Sequence, residues 1–324
     1  MSVCLREIRL ASLSAEMPAS LAAQAAVLEA ATPRKPGLVC VDTRGVHTDM
    51  DIRVLVASAF SLQSYFARAT ECGRSHAGAA PRDVFPLLRD LGRQAEKTMF
   101  AVTGGVNTHK GLIFSQGLIC AAVGRLAAQG RAAGAAVVCA EAAALVQGIV
   151  ERDLAPLRRA AGEFTAAQPW EDYLRAARQR VGRELSAGEA LYLRYGEAGI
   201  RGEAERGFPH ALMGLQRLED ENARGDFAQA VLRTLLALMA EVRDTNILWR
   251  GGPEKLSAVQ GMARRILESG GTSAGGEDAP AELQNYCLAH RLSPGGCADI
   301  LNIAIFFHLL SVADAALDKH AGYG

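Results

Sequence analysis

Residues 110–129 read KGLIFSQGLICAAVGRLAAQ, an apolar stretch that follows directly on a glycine-rich turn. Its apolar side chains recur at intervals of three and four residues, the spacing that places them on one face of an α-helix. The same spacing returns along most of the chain, in residues 15–32, 51–70, 84–100, 134–150, 168–181, 185–198, 226–243, 254–269 and 298–318. The chain does not contain the several alternating runs, bounded by turn residues, that a sheet requires. The sequence therefore predicts an all-α fold.

The length and composition of the chain suit a large helical domain. Its 324 residues could form one domain or two closely packed lobes, and 49% of them are hydrophobic, enough for a buried core. We expect a single multi-helix domain over residues 1–324, with a core mainly of Ala, Leu, Val and Ile because only 6% of residues are aromatic. Lys plus Arg and Asp plus Glu number 35 each, so the formal net charge is zero. This balance gives no support for nucleic-acid binding, although a local basic pocket could still hold a polyphosphate.

The seven cysteines indicate a reducing compartment. They are odd in number and widely scattered, and no Cys-x-x-Cys pair occurs, which argues against a disulfide framework and a structural zinc site. They stand at positions 4, 40, 72, 120, 139, 287 and 297. The sequence therefore predicts a cytoplasmic protein.

Three apolar stretches could be mistaken for secretory or membrane segments. Alanine-rich residues 18–31 contain Gln24 and Glu29 and lack the leucine-rich block of a signal peptide. Residues 132–150 and 300–317 also contain polar and charged side chains, which are costly at the centre of a bilayer. We interpret these two stretches as buried core helices and predict no membrane association.

The breaks between the predicted helices are rich in glycine and polar residues. They fall at residues 33–37, 103–111, 199–207, 250–253, 270–280 and 293–296. Junctions that lead into helices often bind phosphate, because the free amides and the positive dipole end of a helix N-terminus favour an anion. Residues 270–277 are rich in Gly and Ser and predict a flexible surface loop. The other glycine-rich loops are expected to form a central nucleotide pocket.

The first break contains a lysine, and closely spaced acidic residues follow it. Residues 33–39 read PRKPGLV, and residues 47–51 read HTDMD. Lys35 offers a positive charge on a stretch stiffened by two prolines. Asp49 and Asp51 alternate, so in an extended segment they point to one side, where their oxygens suit Mg²⁺ held to a nucleotide triphosphate. Alternatively, both carboxylates merely stabilise the N-terminus of a helix.

The second break is a double-glycine turn before a long apolar helix. It reads TGGVNTHKG over residues 103–111. Gly104 and Gly105 allow positive φ and a close approach of the backbone to a ligand. Residues 108–110, Thr-His-Lys, then stand at the helix start, facing any bound phosphate. The segment is not a Walker A loop, because the Gly-Lys-Ser/Thr ending is missing, and an ordinary turn with a capping threonine is the alternative.

The third break, residues 199–207, mixes arginines with glutamates. Arg201 and Arg206 bracket Glu203 and Glu205. Arginines can clamp phosphates, and carboxylates can activate a hydroxyl group or stabilise an oxocarbenium ion. A solvated salt-bridge cluster is the alternative interpretation.

Two further segments place acidic residues near helix ends. Residues 243–252 read RDTNILWRGG, and residues 293–299 read SPGGCAD. Asp244 is predicted to lie at the end of an apolar helix, where a carboxylate opposes the dipole, and this favours a functional role. Asp299 is predicted in the first turn of the last helix, where a structural role explains it. Cys297 is interpreted as a small packing residue.

Taken together and in this order, these five segments resemble the triphosphoribosyl-dephospho-coenzyme A synthase family. The likeness covers about residues 20–315. It is carried by residues 35–39, 47–51, 103–111, 202–209, 244–246 and 293–296. The resemblance implies a cytoplasmic, largely helical enzyme whose product is 2′-(5″-triphosphoribosyl)-3′-dephospho-coenzyme A.

The resemblance also implies substrates and partners. ATP and 3′-dephospho-CoA are the substrates, and the product passes to a holo-acyl-carrier-protein synthase. It is finally attached to the acyl-carrier subunit of malonate decarboxylase or citrate lyase. The oligomeric state stays open, with a homodimer as one option.

The chemistry of such a transfer assigns expected roles to the residues of the five segments. Adenine is displaced at the ribose C1 of ATP through an oxocarbenium-like state, by a 2′-hydroxyl group that needs a base. Glu203 or Glu205 is expected to act near the ribose, with His109 as an alternative proton acceptor. Asp49 and Asp51 are expected to bind Mg²⁺ on the triphosphate. The other expected contacts to the phosphates and nucleotides are Lys35, Gly104, Gly105, Asn107, Thr108, Lys110, Arg201, Arg206, Asp244 and Asn246.

Two other functions fit parts of this sequence. A Mg²⁺-dependent helical hydrolase of phosphoribosyl or ADP-ribosyl compounds would use water in place of the hydroxyl group and release adenine without dephospho-CoA. A non-catalytic helical protein would bind a nucleotide or a carrier protein and never liberate adenine.

Overall fold

The computed structural model describes residues 6–165, 168–269 and 278–321. Nearly all of their regular structure is helical. The helices are α1 Glu16–Ala31, α2 Ile52–Ser61, α3 Gln63–Ser75, α4 Pro81–Val102, α5 Lys110–Ala128, α6 Ala135–Leu145, α7 Ile149–Ala161, α8 Trp170–Val181, α9 Ala187–Tyr195, α10 Gly199–Glu205, α11 Pro209–Asn222, α12 Phe227–Glu241, α13 Thr245–Glu268, α14 Asp278–His290 and α15 Gly295–Ala321. The only strands in the described ranges, Ile8–Arg9 and Ala132–Ala133, form one antiparallel pair. The prediction of an all-α fold is confirmed.

Helix α5 lies inside the main core. It is buried on nearly all sides between Leu112 and Ala127, because its side chains there are mostly small or aliphatic. Helix α3 packs along α5, and α15 packs against α1, α11 and α12 as well as α5. Because these helices come from both ends of the sequence, the core joins the two halves of the chain.

Two helices have the length and hydropathy of a membrane span. They are α5 over Lys110–Ala128 and α15 over Gly295–Leu317, and 83% and 61% of their most apolar windows are buried inside the structure. Core helices of folded domains pass the same test, so this finding is weak evidence for a membrane. The burial of Leu301 to Leu310 agrees with the interpretation of this stretch as a core helix.

The apolar spacing does not separate every helix. Residues 134–150 are predicted as one helix, but α6 and α7 are distinct because Gly148 between them adopts a left-handed conformation, with φ of 75°. Helices α11 and α14 are also missed. In α11 the buried residues are few and are interrupted by polar positions such as Gln216 and Arg217.

Two predicted breaks have different outcomes. The break at residues 250–253 is a kink within α13, where Gly252 has a φ of 72° and the helix changes direction. The flexible loop predicted at residues 270–277 lies outside the described residues.

Glycines let α3 and α5 approach each other closely. A Cβ atom added at Gly124 of α5 would lie 1.9 Å from the Thr70 carbonyl oxygen of α3, and one added at Gly73 would lie 2.0 Å from the Ala121 carbonyl oxygen. Both obstacles are backbone atoms, so a larger side chain requires the two helices to separate.

We therefore expect Gly124→Ala to lower the free energy of unfolding by about 1–3 kcal/mol, the usual cost of overpacking. Urea unfolding of the purified variant measures it. Gly261→Ala is the matched control: a Cβ atom there meets only the end of the Arg265 side chain, at 3.6 Å. Alanine in this helical position should raise stability by about 0.5–1 kcal/mol. Equal effects of the two substitutions would contradict the close packing.

Candidate active site

Two adjoining cavities lie at the N-terminal end of α5. The larger has a volume of about 1000 Å³ and the smaller a volume of about 510 Å³. Five residues line both cavities, and we call them the shared wall: Asn107, Lys110, Gly111, Asn246 and Asp299. The second, fourth and fifth of the polar segments singled out in the sequence therefore meet at one place.

The shared wall forms where three long helices begin. Helix α5 begins at Lys110, α13 at Thr245 and α15 at Gly295. The backbone amides and the positive dipole end of each helix favour negative charge. The positive dipole ends of three helices thus favour a phosphate chain at the meeting point of the two cavities.

Asp244 ties two of these helix starts together. Its Oδ1 accepts hydrogen bonds from the amides of Asn246 and Ile247 at 2.8 and 3.1 Å, and its Oδ2 accepts one from the Cys297 amide at 2.7 Å. It is almost fully buried and lines neither cavity. Because α12 already ends at Glu241, Asp244 caps α13 and favours its dipole. These contacts favour a structural role for Asp244, and its expected nucleotide contact stays a prediction.

Asp299 lies against the first turn of α5. A Cβ atom added at Gly111 would lie 1.9 Å from Asp299 Oδ2, so the carboxylate has room only because residue 111 is glycine. Burial, followed by the charges of Asp244 and Glu29, raises the pKa of Asp299 well above its usual range. The sequence shows Asp299 only as a first-turn residue of α15, since nothing local reveals that α5 packs against it.

A buried ion pair lines the smaller cavity. Lys35 Nζ lies 2.5 Å from Glu29 Oε1, and the two residues are only 1% and 5% exposed. An ammonium group has three donors, so Lys35 can bind a phosphate oxygen while it stays paired with Glu29. Glu29 was missed as a site residue. Its only sequence signal is a carboxylate within an alanine-rich helix.

His109 also lines the smaller cavity, and its ring is held by hydroxyl groups. Its Nδ1 lies 2.8 Å from Ser58 Oγ, and that oxygen lies 2.7 Å from Thr108 Oγ1. Burial, and then the charge of Lys35, lowers the pKa of His109 to about 4. The imidazole is therefore neutral at pH 7 and can either accept or donate a hydrogen bond. Ser58, which orients it, was not predicted.

The structure separates the two predicted metal ligands. Asp49 is exposed at the smaller cavity, with its Oδ1 3.8 Å from His47 Nδ1. Asp51 lines neither cavity, because its carboxylate caps α2 and pairs with Arg44 and Arg53. The hydrogen bond from Arg53 lowers the pKa of Asp51 to about 2. These contacts favour the helix-capping interpretation of Asp51, and its metal role stays a prediction.

The double glycine follows α4 and lies outside the lining of these two cavities. Gly104 and Gly105 have φ of 66° and 91° and are exposed, and the Gly105 amide donates to the Phe100 carbonyl oxygen at 2.7 Å. The two amides were expected to hold phosphate oxygens, and that role stays a prediction. Further along this segment, Thr108 lines the smaller cavity, and Lys110 on the shared wall pairs with Glu96, Nζ to Oε2, at 3.1 Å.

The break predicted at residues 199–207 contains the short helix α10. Arg201, Glu203 and Arg206 line the larger cavity, whereas Glu205 lines neither cavity. Glu203 is almost fully buried and accepts hydrogen bonds from the backbone amide and Nδ1 of His210, both at 2.8 Å. The hydrogen bond to Glu203 raises the pKa of His210. Only Glu203 of the predicted glutamate pair therefore faces a cavity.

The larger cavity has a polar and an apolar part. Its apolar wall consists of Tyr65, Phe85, Leu88, Ile113, Phe114, Leu118 and Ile149. Besides Arg201 and Arg206, its cationic side chains include Arg89, Arg93, Arg183 and Arg243, which sequence reasoning missed. Such a wall suits a long ligand that has both charged groups and an apolar arm.

Comparison with known proteins identifies the family of the chain. A family model for ATP:dephospho-CoA triphosphoribosyl transferase matches residues 15–317. The 2-(5″-triphosphoribosyl)-3′-dephosphocoenzyme-A synthase of Klebsiella pneumoniae is 38% identical over 303 residues, which cover 92% of each chain. A protein of Malonomonas rubra named "probable 2-(5″-triphosphoribosyl)-3′-dephosphocoenzyme-A synthase" is 37% identical over 297 residues, 90% of this chain and 87% of that protein.

No solved structure matches the chain at a significant level. The family match nevertheless covers both cavities and every helix that lines them. The chain therefore belongs to the family of ATP:dephospho-CoA triphosphoribosyl transferases.

Proposed function

We propose that the chain transfers the triphosphoribosyl group of ATP to the 2′-hydroxyl group of 3′-dephospho-CoA and releases adenine, with one substrate in each cavity. The observation that carries this assignment is the shared wall. A transfer between two bound nucleotides needs two sites that meet at the reacting atoms, because positioning supplies much of the rate.

The smaller cavity is assigned to the triphosphate of ATP. Lys35 supplies a buried cation, Lys110 supplies a second ammonium group, and the positive dipole end of α5 also favours the phosphates. Asn107 and Thr108 add neutral hydrogen-bonding groups on the same side. This set matches a chain of phosphates better than it matches an uncharged ligand.

The larger cavity is assigned to dephospho-CoA. Arg201 and Arg206 lie where they can bind the diphosphate, since arginine forms paired hydrogen bonds with phosphate oxygens. Phe85 and Phe114 belong to the apolar wall, which suits the pantetheine arm. Asn246 on the shared wall can then hydrogen-bond either nucleotide where the two meet.

The smaller cavity fits a Mg²⁺ ion that is bound mainly by substrate. Within the described ranges, no group of three or more His, Cys, Asp or Glu side chains is arranged to hold a metal. Mg²⁺ commonly uses one or two carboxylates together with phosphates and water, and Asp49 offers one carboxylate at this cavity. When bound, the ion would neutralise phosphate charge. Asp51 has no part in this proposal.

Two further polar residues are placed to contact the substrates. Glu203 places a carboxylate on the wall of the larger cavity, where it can accept a hydrogen bond from bound dephospho-CoA. The neutral His109 can hydrogen-bond a substrate group in the smaller cavity. The ring contacts with Ser58 fix the orientation in which it does so.

The product of this reaction carries a triphosphate and a pantetheine arm, and we propose that it passes to a holo-acyl-carrier-protein synthase and then to a decarboxylase or lyase carrier subunit. A cytoplasmic location suits these steps. The cysteines within the described ranges form no disulfide bonds, as expected in a reducing compartment.

Mass spectrometry of the purified chain with ATP, Mg²⁺ and dephospho-CoA tests this function. Adenine and 2′-(5″-triphosphoribosyl)-3′-dephospho-CoA should form in equal amounts, and little adenine should form without dephospho-CoA. Equal adenine release with and without the acceptor would indicate a hydrolase. ATP binding with no adenine release would indicate a non-catalytic protein.

The assignment of the larger cavity makes a separate prediction. We expect Arg201→Ala to raise the KM for dephospho-CoA about tenfold, the loss of about 1.4 kcal/mol of binding, and to leave the KM for ATP unchanged. Steady-state kinetics with each substrate varied in turn measures both constants. Arg175→Ala, which removes an exposed arginine outside both cavities, is the control. A larger rise in the KM for ATP than in the KM for dephospho-CoA would reverse the assignment of the two cavities.

A further inference from the structure

The shared wall has a chemical consequence for proton transfer. A group that accepts a proton from one substrate while it attacks the other has to reach both cavities. Of the five shared-wall residues, glycine and the two asparagines cannot accept a proton near neutral pH, and Lys110 is a cation paired with Glu96. Among the residues that the structure describes, Asp299 is therefore the only base on this wall.

The packing of α15 on α5 fixes the position of Asp299. Its carboxylate lies against Gly111 in the first turn of α5, in space that any side chain at residue 111 would fill. The residue is held on α15, a long buried helix, and faces both cavities. A base held on a rigid helix keeps its geometry through the reaction.

We propose that Asp299 is the general base of the transfer, an inference that rests on the proposed function. Asp299 takes the proton of the 2′-hydroxyl group of dephospho-CoA as that oxygen forms a bond to C1 of the ATP ribose. The bond between C1 and adenine N9 breaks, and adenine leaves with the electron pair and takes up a proton from solvent. Asp299 then releases its proton to solvent, so that atoms and charge balance over one turnover.

The other candidates fit this role less well. Glu203 lines only the larger cavity, and His210 donates to both of its oxygens. His109 lines only the smaller cavity, and one of its ring nitrogens is engaged by Ser58. Neither residue reaches both substrates in this arrangement, whereas Asp299 does.

The surroundings of Asp299 make it a stronger base than an ordinary carboxylate. Desolvation and two neighbouring carboxylates raise its pKa, which makes the ionised form a stronger proton acceptor. The charges that act on Asp299 are those of Asp244 and Glu29, and Asp299 in turn acts on the Cys297 thiol. The other titratable and charged groups that line a cavity together with Asp299 are Lys35, His47, Asp49, His109, Arg250 and Arg291 in the smaller, Lys110 in both, and Tyr65, Arg89, Arg93, Glu96, Asp153, Arg183, Glu189, Glu197, Arg201, Glu203, Arg206 and Arg243 in the larger.

The test compares Asp299→Asn with the wild type. We expect kcat to fall about 10²–10⁴-fold, the usual cost of removing a general base. The Kd values for ATP and dephospho-CoA, measured by calorimetry, should change less than about threefold, since asparagine keeps the size of the side chain. Glu203→Gln serves as the comparison, with a smaller expected loss of kcat.

The pH profile distinguishes a base from a structural residue. The base has to be ionised, so kcat should fall as pH drops through the pKa of Asp299. This acidic limb should lie above the normal titration range of a carboxylate. In Asp299→Asn the limb should vanish. His109, with a pKa of about 4, titrates lower and should not produce it.

Each outcome decides the proposal. If the wild type forms product while Asp299→Asn keeps kcat within threefold and the same acidic limb, Asp299 is not the base. If the wild type forms no product, the proposed function fails independently of Asp299. Should Asp299→Asn not fold, as judged by circular dichroism, Asp299→Glu takes its place. A displaced acidic limb in that variant supports the proposal, and an unmoved limb overturns it.

Discussion

Replacing Lys35 with methionine is expected to lower the free energy of unfolding by about 3–5 kcal/mol, because the buried Glu29 loses its partner. Both side chains are almost inaccessible to solvent, so water cannot replace the lost ammonium group. Chemical denaturation monitored by circular dichroism measures the change. A variant as stable as the wild type would mean that the pair is not buried in solution.

The double variant Glu29→Gln and Lys35→Met separates stability from binding. Removing both charges should restore most of the lost stability, since a buried ion pair is often no better than a neutral replacement. ATP affinity should stay about 10–100-fold below that of the wild type, because a hydrogen bond to a charged group contributes about 1.5–3 kcal/mol. Calorimetry with ATP gives the affinity. If the double variant bound ATP with wild-type affinity, Lys35 would not belong to the triphosphate site.

Replacing Gly111 with alanine is expected to lower kcat about 100-fold. The added Cβ atom would lie 1.9 Å from Asp299 Oδ2, so either the carboxylate or the start of α5 has to move. A displacement of about 1 Å in a reacting group can cost that much in rate. Adenine release in the presence of dephospho-CoA is the assay.

A glycine elsewhere on the cavity lining provides the control for Gly111→Ala. Gly188 lines the larger cavity on α9, and a Cβ atom added there meets nothing within 4 Å. Gly188→Ala should keep kcat within about twofold of the wild type, because it displaces no group on the shared wall. Unchanged turnover in Gly111→Ala would show that the contact with Asp299 has no part in the reaction.

The helices could be predicted from the sequence because their apolar spacing is local. Helix α5 is recognised at almost its full length, since its apolar positions depend only on neighbours within a turn or two. Asp244 shows the limit of this reasoning. Its functional interpretation assumed that it ends α12, whereas the chain turns within three residues and Asp244 begins α13.

The candidate site could be predicted only in part. Lys35, His109 and Glu203 are unusual charged or polar residues beside glycine, and the structure places all three on cavity walls. Asp299 and Glu29 lie within ordinary helical patterns. Their importance comes from the packing of α1 and α15 against α5, which brings together positions about 80–270 residues apart in the sequence and has no local signal.

The metal prediction at Asp51 depends on the local backbone in a related way. Alternation places Asp49 and Asp51 on one side only if the segment stays extended. Helix α2 begins at Ile52, so Asp51 becomes its cap and turns toward Arg53. The preference of aspartate for the N-terminus of a helix explains the position of the Asp51 side chain.

The most direct test of two substrates meeting at the shared wall is a crystal structure of the Asp299→Asn variant with ATP and dephospho-CoA. The triphosphate should lie beside Lys35 and Lys110, and the diphosphate of dephospho-CoA beside Arg201. The 2′-oxygen should lie about 3–3.5 Å from the ribose C1, next to residue 299. A triphosphate bound to the arginines of the larger cavity, or an acceptor hydroxyl group far from residue 299, would contradict the account.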